Sequence, residues 1–371
     1  MDLLLNAGQR LLWESAARLC ADAGGDARSR ALQAAGQDHD REAWRLMTAS
    51  GWPGVLLADA ADGAASGAVA LGLVQHAIGL HDVRVSLAPT AIAAQALTDG
   101  GAVAAGVLEA IVAGTQIMVP AVLGAGTAFA PRGALPRADR AADGWVLHGA
   151  HSAVPDAALA DRLLIAATGG GGPILCLIRP DAAGVTLRTR AMIDGSQVSD
   201  IVLTGTRVAA ADVVAAGAAA SARTAAITAL QSLAVSFALL GVGDAALALT
   251  LEHLKLRQQF GRPIGSFQAL QHRAVDGFVA LELVRSLALR VAAAFDAGGA
   301  HPAMIPALKA KAGRDVLAVV RRGLQIHGAL GYAAEHPIGR RYQRALVLSA
   351  CFGNEADHLA QFAALAGGAA A

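Results

Sequence analysis

The sequence predicts an α+β protein with an N-terminal helical domain (residues 1–113), a middle β domain of sandwich or barrel type (114–217) and a C-terminal four-helix bundle (218–371). Two observations lead to this prediction. Apolar residues recur at helical spacing in the first and last regions, whereas the middle region has short runs of Val, Ile, Leu and Thr separated by Gly, Pro and Asp. In addition, 371 residues exceed what one hydrophobic core usually supports.

The N-terminal region is predicted to be helical. Leu12, Ala16 and Leu19 are three and four residues apart, as on the buried face of one helix. Residues 40–57 predict a second helix followed by Gly and Pro stop signals, and the Ala-rich residues 65–83 predict a buried third one.

The middle region is predicted to form short strands joined by turns. The strand-like stretches are residues 144–154, 162–168, 173–180, 184–192 and 199–208. Four consecutive glycines at 169–172 predict a turn. This glycine run lacks the strand-to-helix context of a phosphate-binding loop, so the sequence assigns it no binding role.

The C-terminal region is predicted to contain four amphipathic helices with mostly short links, which is typical of a bundle. The helical stretches are residues 221–258, 267–295, 306–326 and 354–366. Ser266 is predicted to cap the second helix, and Pro306 is expected in the first turn of the third.

Composition excludes several classes of function. With 30 Lys and Arg against 29 Asp and Glu, nothing favours a nucleic-acid or membrane-surface partner. Three cysteines without ligand spacing predict neither a metal site nor a disulfide framework, and the N-terminus lacks a secretion signal, so a cytoplasmic protein is expected.

Residues 233–251 are apolar, but Asp244 interrupts them, which favours a buried helix over a membrane span. The 55% hydrophobic content is consistent with apolar surface buried between subunits.

Two C-terminal stretches together resemble the acyl-CoA dehydrogenase family. Residues 254–276 read LKLRQQFGRPIGSFQALQHRAVD, with Arg, two residues, Phe-Gly and then Phe-Gln opening the next helix, and residues 325–332 read QIHGALGY. The resemblance covers nearly the whole chain. It implies FAD as cofactor, contacted in part by residues that one subunit lends to its neighbour. The residues that this resemblance assigns to cofactor binding are Arg257, Gln259, Phe260, Phe267, Gln268, Gln325, Ile326, Gly328, Ala329 and Asn354.

The chemistry of these residues permits that role and a plainer one. The planar guanidinium of Arg257 suits a pyrophosphate, although an arginine at a helix end can equally face solvent. Phe260 can pack on the cofactor or in a core, and Gln268 can hold an anion at a helix start or be merely solvated. Gly328 allows close backbone approach or caps a helix. Ala329 replaces the second glycine of the family pattern.

The family's catalytic base is missing at both positions where it is expected. Aligning FGN at 352–354 with the family's Glu-Gly-Thr places Phe352 on the base, and the alternative base position on the long helix is Gln231. Neither side chain can accept a proton. Glu355 and Asp357 are nearby but weak candidates, because the family gives those positions no catalytic duty.

The flavin-lining part of the middle domain also departs from the family. Gly124 and Gly126 alone remain of a glycine-rich stretch, and residues 153–155 (Ala-Val-Pro) replace Trp-Ile-Thr. This pattern, with the FGNEADHL ending, resembles the partner subunits of heteromeric acyl-CoA dehydrogenases of the steroid or pimeloyl type.

Three hypotheses follow from these observations. The first is a non-catalytic partner that lends the ADP-binding half-site to a homologous subunit acting on an acyl-CoA or acyl-carrier thioester. The second is a self-sufficient homo-oligomeric FAD enzyme with its base relocated to Glu355 or Asp357. The third is a non-redox protein that binds acyl thioesters or acts as a scaffold.

Overall fold

The computed structural model describes residues 5–57, 66–124, 133–333 and 335–367. Within these residues the chain mixes helices and one large sheet, which confirms the α+β prediction. The helices are α1 (Ala7–Ala23), α2 (Asp26–Ala34), α3 (Arg41–Ala49), α4 (Ala68–His81), α5 (Leu87–Leu97), α6 (Gly101–Val112), α7 (Gly217–Leu256), α8 (Gln268–Asp296), α9 (Met304–His327), α10 (Pro337–Ala350) and α11 (Glu355–Gly367). The strands are β1 (Met118–Ala121), β2 (Arg137–Ala141), β3 (Gly144–Pro155), β4 (Arg162–Gly169), β5 (Gly172–Ile178), β6 (Val185–Ala191), β7 (Gln197–Ala209), β8 (Val213–Ala216), β9 (Gln258–Gln259) and β10 (Arg262–Pro263).

The chain divides into two compact units. The helical unit comprises Met1–Arg30, Ala68–Val83 and Ser232–Ala371, and the sheet unit comprises Ala31–Gly67 and Arg84–Gln231. The helix α7 begins in the sheet unit and ends in the helical unit. The three-domain division of the sequence stays a prediction.

The sheet unit contains an eight-stranded sheet. Its strand order is β6-β7-β3-β2-β4-β5-β8, with β1 pairing in parallel with β4. Branched and aliphatic side chains such as Leu147, Ile165 and Ile201 alternate towards one core and are fully buried. Gly169 pairs with Gly172 across the β4–β5 hairpin, which confirms the turn predicted at this glycine run.

The helical unit is built around α7, which is 40 residues long. Within the described part of the chain, α7 is the one helix long and apolar enough to cross a membrane, and 72% of its most apolar window is buried inside the protein. Gly79 of α4 and Gly241 of α7 let these two helices approach closely, because a Cβ on either would clash with the backbone of the other helix. The burial of α7 agrees with the sequence prediction of a buried helix at residues 233–251.

Two details of the C-terminal region differ from the sequence predictions. The helix α10 was not predicted, so five helices rather than four follow residue 216 in the described chain. Ser266 does not cap α8, because Phe267 occupies the N-cap position and the Ser266 hydroxyl instead donates to the Pro263 carbonyl at 2.7 Å.

A buried ionic network explains the charge in the middle of α7. Asp244 accepts a hydrogen bond from His76 Nε2 of α4 at 2.7 Å and two from Arg285 Nη2 of α8 at 2.8 and 2.9 Å. Glu282 accepts from Arg285 Nε at 3.0 Å. Burial alone would raise the pKa of Asp244, but His76 and Arg285 outweigh burial and hold this pKa below its usual value. The network therefore ties three helices together.

Replacing Asp244 should destabilise the protein far more than replacing a surface carboxylate. Asp244→Asn leaves the guanidinium of Arg285, only 12% exposed, without its main partner, which should cost roughly 3 kcal/mol. Glu252→Gln, which removes an exposed ion pair with Lys255 on the same helix, should cost less than about 1 kcal/mol. Urea unfolding measures both values, and equal effects would contradict the structural role of the network.

Candidate functional site

The first motif forms an exposed hairpin between α7 and α8. Strands β9 and β10 pair through Gln259 and Arg262, and Phe260 lies in the turn with a φ of 55°. The Phe260 side chain is 90% exposed and meets Phe267 edge-on, with ring centroids 6.0 Å apart. The Arg262 guanidinium lies 4.2 Å from the centre of the Phe267 ring. Phe260 is therefore exposed to solvent and is not a core residue of this chain.

Polar side chains without an ionic partner surround this hairpin. Arg257 follows the last residue of α7, and its carbonyl accepts from the Ile264 N–H at 2.8 Å, which fixes the base of the hairpin. The side chains of Arg257, Gln259 and Gln268 are exposed, and no described carboxylate forms a salt bridge with Arg257. A guanidinium and two amides are thus available to a ligand outside the chain.

The second motif ends helix α9. Gln325 is exposed and Ile326 is half-buried on its last turn, and Gly328 caps the helix with a φ of 60° and ψ of −141°. A Cβ at Gly328 would meet nothing within 4 Å, so this backbone faces open space. Ala329 is exposed beside it. Gly328 therefore serves as a helix cap and also leaves the backbone accessible, which are the two roles considered from the sequence.

A cluster of three histidine rings, not anticipated from the sequence, lies between the two motifs. His253 lies on α7, His327 ends α9 and His336 caps α10, with ring centroids 4.3 Å and 4.7 Å apart in succession. His327 Nδ1 donates to the Gly323 carbonyl at 2.8 Å. Burial lowers the pKa of His253 and of His336, and the neighbouring His327 lowers both further. The three rings lie in contact where α7 and α9 end and α10 begins.

The Phe352 turn lies between α10 and α11 and is held by buried groups. Phe352 has a φ of 59°, in the left-handed region that bulky residues rarely adopt. Lys309 Nζ, on α9, donates to the carbonyls of Ser349 at 2.8 Å and Gly353 at 3.0 Å. His358 Nε2 donates to the Phe352 carbonyl at 3.0 Å. These three hydrogen bonds fix the backbone on both sides of Phe352.

The electrostatics of this turn follow from burial. Lys309 is 1% exposed, and burial lowers its pKa to about 8. Burial, followed by the charge of Lys309, lowers the pKa of His358 to about 4. His358 is therefore neutral at pH 7, with its proton on Nε2, and acts as a structural donor.

The carboxylates beside Phe352 form a helix cap. Asn354 Oδ1 accepts from the Asp357 N–H at 3.1 Å, and Asp357 Oδ2 accepts from the Asn354 N–H at 3.1 Å. This reciprocal pair is a capping box at the start of α11. Glu355, the first residue of α11, adds negative charge near the positive end of the helix dipole. Both carboxylates therefore have a local structural explanation.

Gln231 lies in the sheet unit and is 5% exposed. Its Nε2 is 3.4 Å from the Pro120 carbonyl, and its Oε1 is buried without a hydrogen-bond partner among the described residues. An amide at this position can donate and accept hydrogen bonds but cannot take up a proton at neutral pH.

The segment that replaces Trp-Ile-Thr, residues 153–155, is largely buried within the sheet unit. Ala153 is 3% exposed at a bulge in β3, and its N–H donates to Asp200 Oδ1 at 2.8 Å. Val154 is 6% exposed. Gly124 packs against the backbone of residue 134, whereas Gly126 lies outside the described residues. Ala153 and Val154 thus offer neither a hydrogen-bonding side chain nor a ring.

The stability contributed by His358 should depend on pH. Since its pKa in the folded protein is about 4, against an ordinary 6.5, this contribution is complete above pH 6.5 and is lost as the pH falls towards 4. The slope for one proton is at most about 1.4 kcal/mol per pH unit. His358→Gln, which keeps a donor, should therefore lose less stability than the wild type between pH 6.5 and 4 in urea unfolding. Exposed His301 provides the control, and an unchanged slope in His358→Gln would contradict the assignment.

Comparison with known proteins finds similarity to acyl-CoA dehydrogenases in sequence and in fold. Residues 213–366 match the model of the acyl-CoA dehydrogenase C-terminal domain. A 3-sulfinopropanoyl-CoA desulfinase of Paraburkholderia xenovorans (strain LB400) is 38% identical over 117 residues, which cover 31% of this chain and 29% of that protein. The matched regions span only 29% to 57% of the first three curated relatives.

Solved structures match over nearly the full length. A variant of the Tcur3481-Tcur3483 steroid ACAD has a TM-score of 0.87 and 29% identity, and the match covers 98% of this chain and 99% of that chain. The ChsE4-ChsE5 complex from Mycobacterium tuberculosis has a TM-score of 0.87 and 25% identity, with 98% of each chain covered. The C-terminal part of the chain thus matches the acyl-CoA dehydrogenase C-terminal domain, and the chain as a whole is similar in fold and sequence to these two acyl-CoA dehydrogenase structures.

Proposed function

We propose that this chain is the non-catalytic partner subunit of a heteromeric, cytoplasmic, FAD-dependent acyl-CoA dehydrogenase. In this proposal it lends the ADP-binding half of the cofactor site to a homologous subunit that supplies the base. The observation that carries the proposal is the Phe352 turn, held by hydrogen bonds from Lys309 and His358, at the residue that the sequence alignment assigns to the family's catalytic carboxylate; Gln231 stands at the alternative position of that alignment.

The reaction of the family explains why this observation matters. A base removes the proton from the carbon α to a thioester while a hydride leaves the β carbon, and FAD, when bound, is the hydride acceptor. Phe352 has no group that can take the proton. Glu355 and Asp357 belong to the first turn of α11, and Asp357 is engaged in the capping box. The described residues at these positions therefore offer no evident base.

The residues of this chain fit one part of FAD and not the other. The exposed Arg257, the amides of Gln259, Gln268 and Gln325, and the open backbone at Gly328 suit a diphosphate and an adenosine. In contrast, the Ala153 N–H is already bonded to Asp200, and the neighbouring Val154 is apolar and buried. This contrast supports a chain that holds the dinucleotide end of a cofactor whose ring is held mainly by another subunit.

An exposed apolar stripe on α8 supports a protein partner. Val275, Phe278, Val279 and Leu283 recur at helical spacing and are each 47% to 59% exposed. Such a stripe in water favours burial against another chain. The two similar structures, the Tcur3481-Tcur3483 steroid ACAD and the ChsE4-ChsE5 complex, are each named as a pair of proteins. We accordingly propose a homologous subunit as the partner and an acyl thioester of lipid or steroid catabolism as the substrate.

The first prediction of this proposal concerns the cofactor. Arg257→Gln in the co-purified complex should weaken FAD binding roughly tenfold to a hundredfold, as expected for losing a charge-assisted hydrogen bond. Flavin fluorescence titration of the apo-complex measures this change. Arg18→Gln on the exposed face of α1 removes the same charge and should leave FAD binding unchanged. Identical affinities for Arg257→Gln and the wild type would refute the assigned half-site.

The second prediction separates a partner role from a relocated base. Glu355→Gln and Asp357→Asn, alone or combined, should leave turnover of the complex within about twofold, because these residues cap a helix. Asn at 357 keeps an oxygen that can accept the Asn354 N–H, so the fold is preserved. A fall of a hundredfold or more, the size typical of a lost general base, would instead support a self-sufficient enzyme.

A further inference from the structure

Three histidine rings lie beside the proposed diphosphate residues, and the proposed function does not use them. His253 is on the last turn of α7, His327 is on the last turn of α9 and His336 caps α10, and successive ring centroids are 4.3 and 4.7 Å apart. The Arg257 N–H donates to the His253 carbonyl at 2.9 Å, so Arg257 lies one helical turn beyond His253. The cluster therefore adjoins the arginine assigned to the cofactor.

The cluster is not arranged as a metal site. The His253 and His327 rings meet through their faces, with an angle of 29° between their planes. His336 Nδ1 already accepts from the Ile338 N–H at 3.3 Å. Among the residues that the structure describes, no group of three His, Cys, Asp or Glu side chains could hold a metal ion. The chemistry of the cluster is therefore that of imidazoles that gain and lose protons.

His253 is held in its neutral form by its surroundings. Burial lowers its pKa below the ordinary 6.5, and interactions with His327, His336 and Arg257 lower this pKa further. Each of these neighbours is cationic or can become so, and each opposes a proton on His253. The ring is only half-buried, so a proton can reach it from solvent.

No described carboxylate acts on His253 to balance a proton on its ring. The acidic side chains around the cluster are those of Asp26, Glu252 and Glu335. Glu252 pairs with Lys255 at 2.6 Å, Asp26 lies 3.8 Å from the Arg340 guanidinium, and Glu335 is exposed. An anion beside Arg257 would therefore supply a counter-charge that the chain itself does not provide.

The helix ends add a second reason for positive charge at this place. The last turns of α7 and α9 carry the negative ends of their helix dipoles, which repel an anion and favour a cation. A diphosphate bound at Arg257 and at the open backbone of Gly328 would meet both ends. A proton on His253 would offset this repulsion.

We propose that His253 is a further residue of this half-site and takes up a proton when a diphosphate binds beside Arg257. This inference rests on the proposed function, because it needs the cofactor's diphosphate at that arginine. Binding and protonation are linked, so a diphosphate that favours the protonated ring is in turn bound more tightly by it. His253 therefore supplies a positive charge that arises together with its ligand.

Binding of FAD should strengthen as the pH falls through the range in which His253 titrates. Above about pH 8 the ring is neutral with or without the ligand, whereas towards about pH 6 the liganded form takes up the proton first. The affinity at about pH 6 should be roughly threefold higher than at about pH 8, below the limit of about tenfold per pH unit for one proton. The diphosphate of FAD is a diester and gains no proton of its own in this range.

Isothermal titration of the apo-complex with FAD measures both the affinity and the proton uptake. Two buffers of different ionisation enthalpy count the protons taken up per FAD at about pH 6.5. His253→Phe keeps an aromatic ring against His327, and His253→Gln keeps a polar side chain, but neither can be protonated. Both variants should take up fewer protons than the wild type and lose the threefold pH dependence. His301→Gln is the control and should behave as the wild type, because His301 is exposed and lies beyond the far end of the 29-residue helix α8.

Equal proton uptake by the wild type and the variants would overturn the inference. So would a loss of affinity that is the same at both pH values, because a purely structural role of the ring predicts that result. Either variant alone decides the matter, so a failure of one to assemble leaves the other as the test. The half-site is tested separately: if Arg257→Gln binds FAD as the wild type does, the proposed function fails and this inference fails with it.

Discussion

A buried ammonium group fixes the part of the protein on which its functional interpretation depends. Lys309 is almost inaccessible to water, yet its Nζ has two backbone carbonyls as partners, on either side of Phe352. A buried lysine is costly unless its donors are satisfied, and here that requirement is met by the Phe352 turn itself. Because the turn satisfies the lysine and His358 bonds the intervening carbonyl, the backbone at Phe352 is held in an otherwise unfavourable left-handed conformation.

The Phe352 turn has a capping box and a buried lysine that fix its backbone, while the side chain at its centre is an aromatic ring without a proton acceptor. In contrast, Arg257 and Phe260 in the hairpin between α7 and α8, and Gln325 on the last turn of α9, are exposed to solvent. The Phe352 turn is therefore well fixed but has no proton acceptor. Arg257, Phe260 and Gln325 are instead exposed and could contact a molecule outside the chain. A subunit that completes a neighbour's site would show both features.

Local rules predicted much of this from the sequence. Asn354 and Asp357 are three residues apart at a helix start, so the cap follows from spacing alone. The glycine run at 169–172 likewise specifies its own turn. Helix α10 was missed because Arg340 and Arg341 make its sequence look polar, whereas both are at least 90% buried. Arg340 bonds Asp82, and Arg341 bonds the Gly79 carbonyl, partners more than 250 residues away. The histidine cluster and the partners of Asp244 also join residues that are far apart in the sequence, so no local pattern reveals them.

The central claim is that this chain needs a homologous partner to hold FAD and to act on an acyl thioester. The most direct test is the flavin content of the purified chain, alone and after co-expression with a homologous acyl-CoA dehydrogenase subunit, measured together with native mass. The account predicts a colourless chain without dehydrogenase activity when alone, and a yellow, active complex of both chains when co-expressed. Stoichiometric FAD and acyl-CoA dehydrogenation by the chain alone would contradict it.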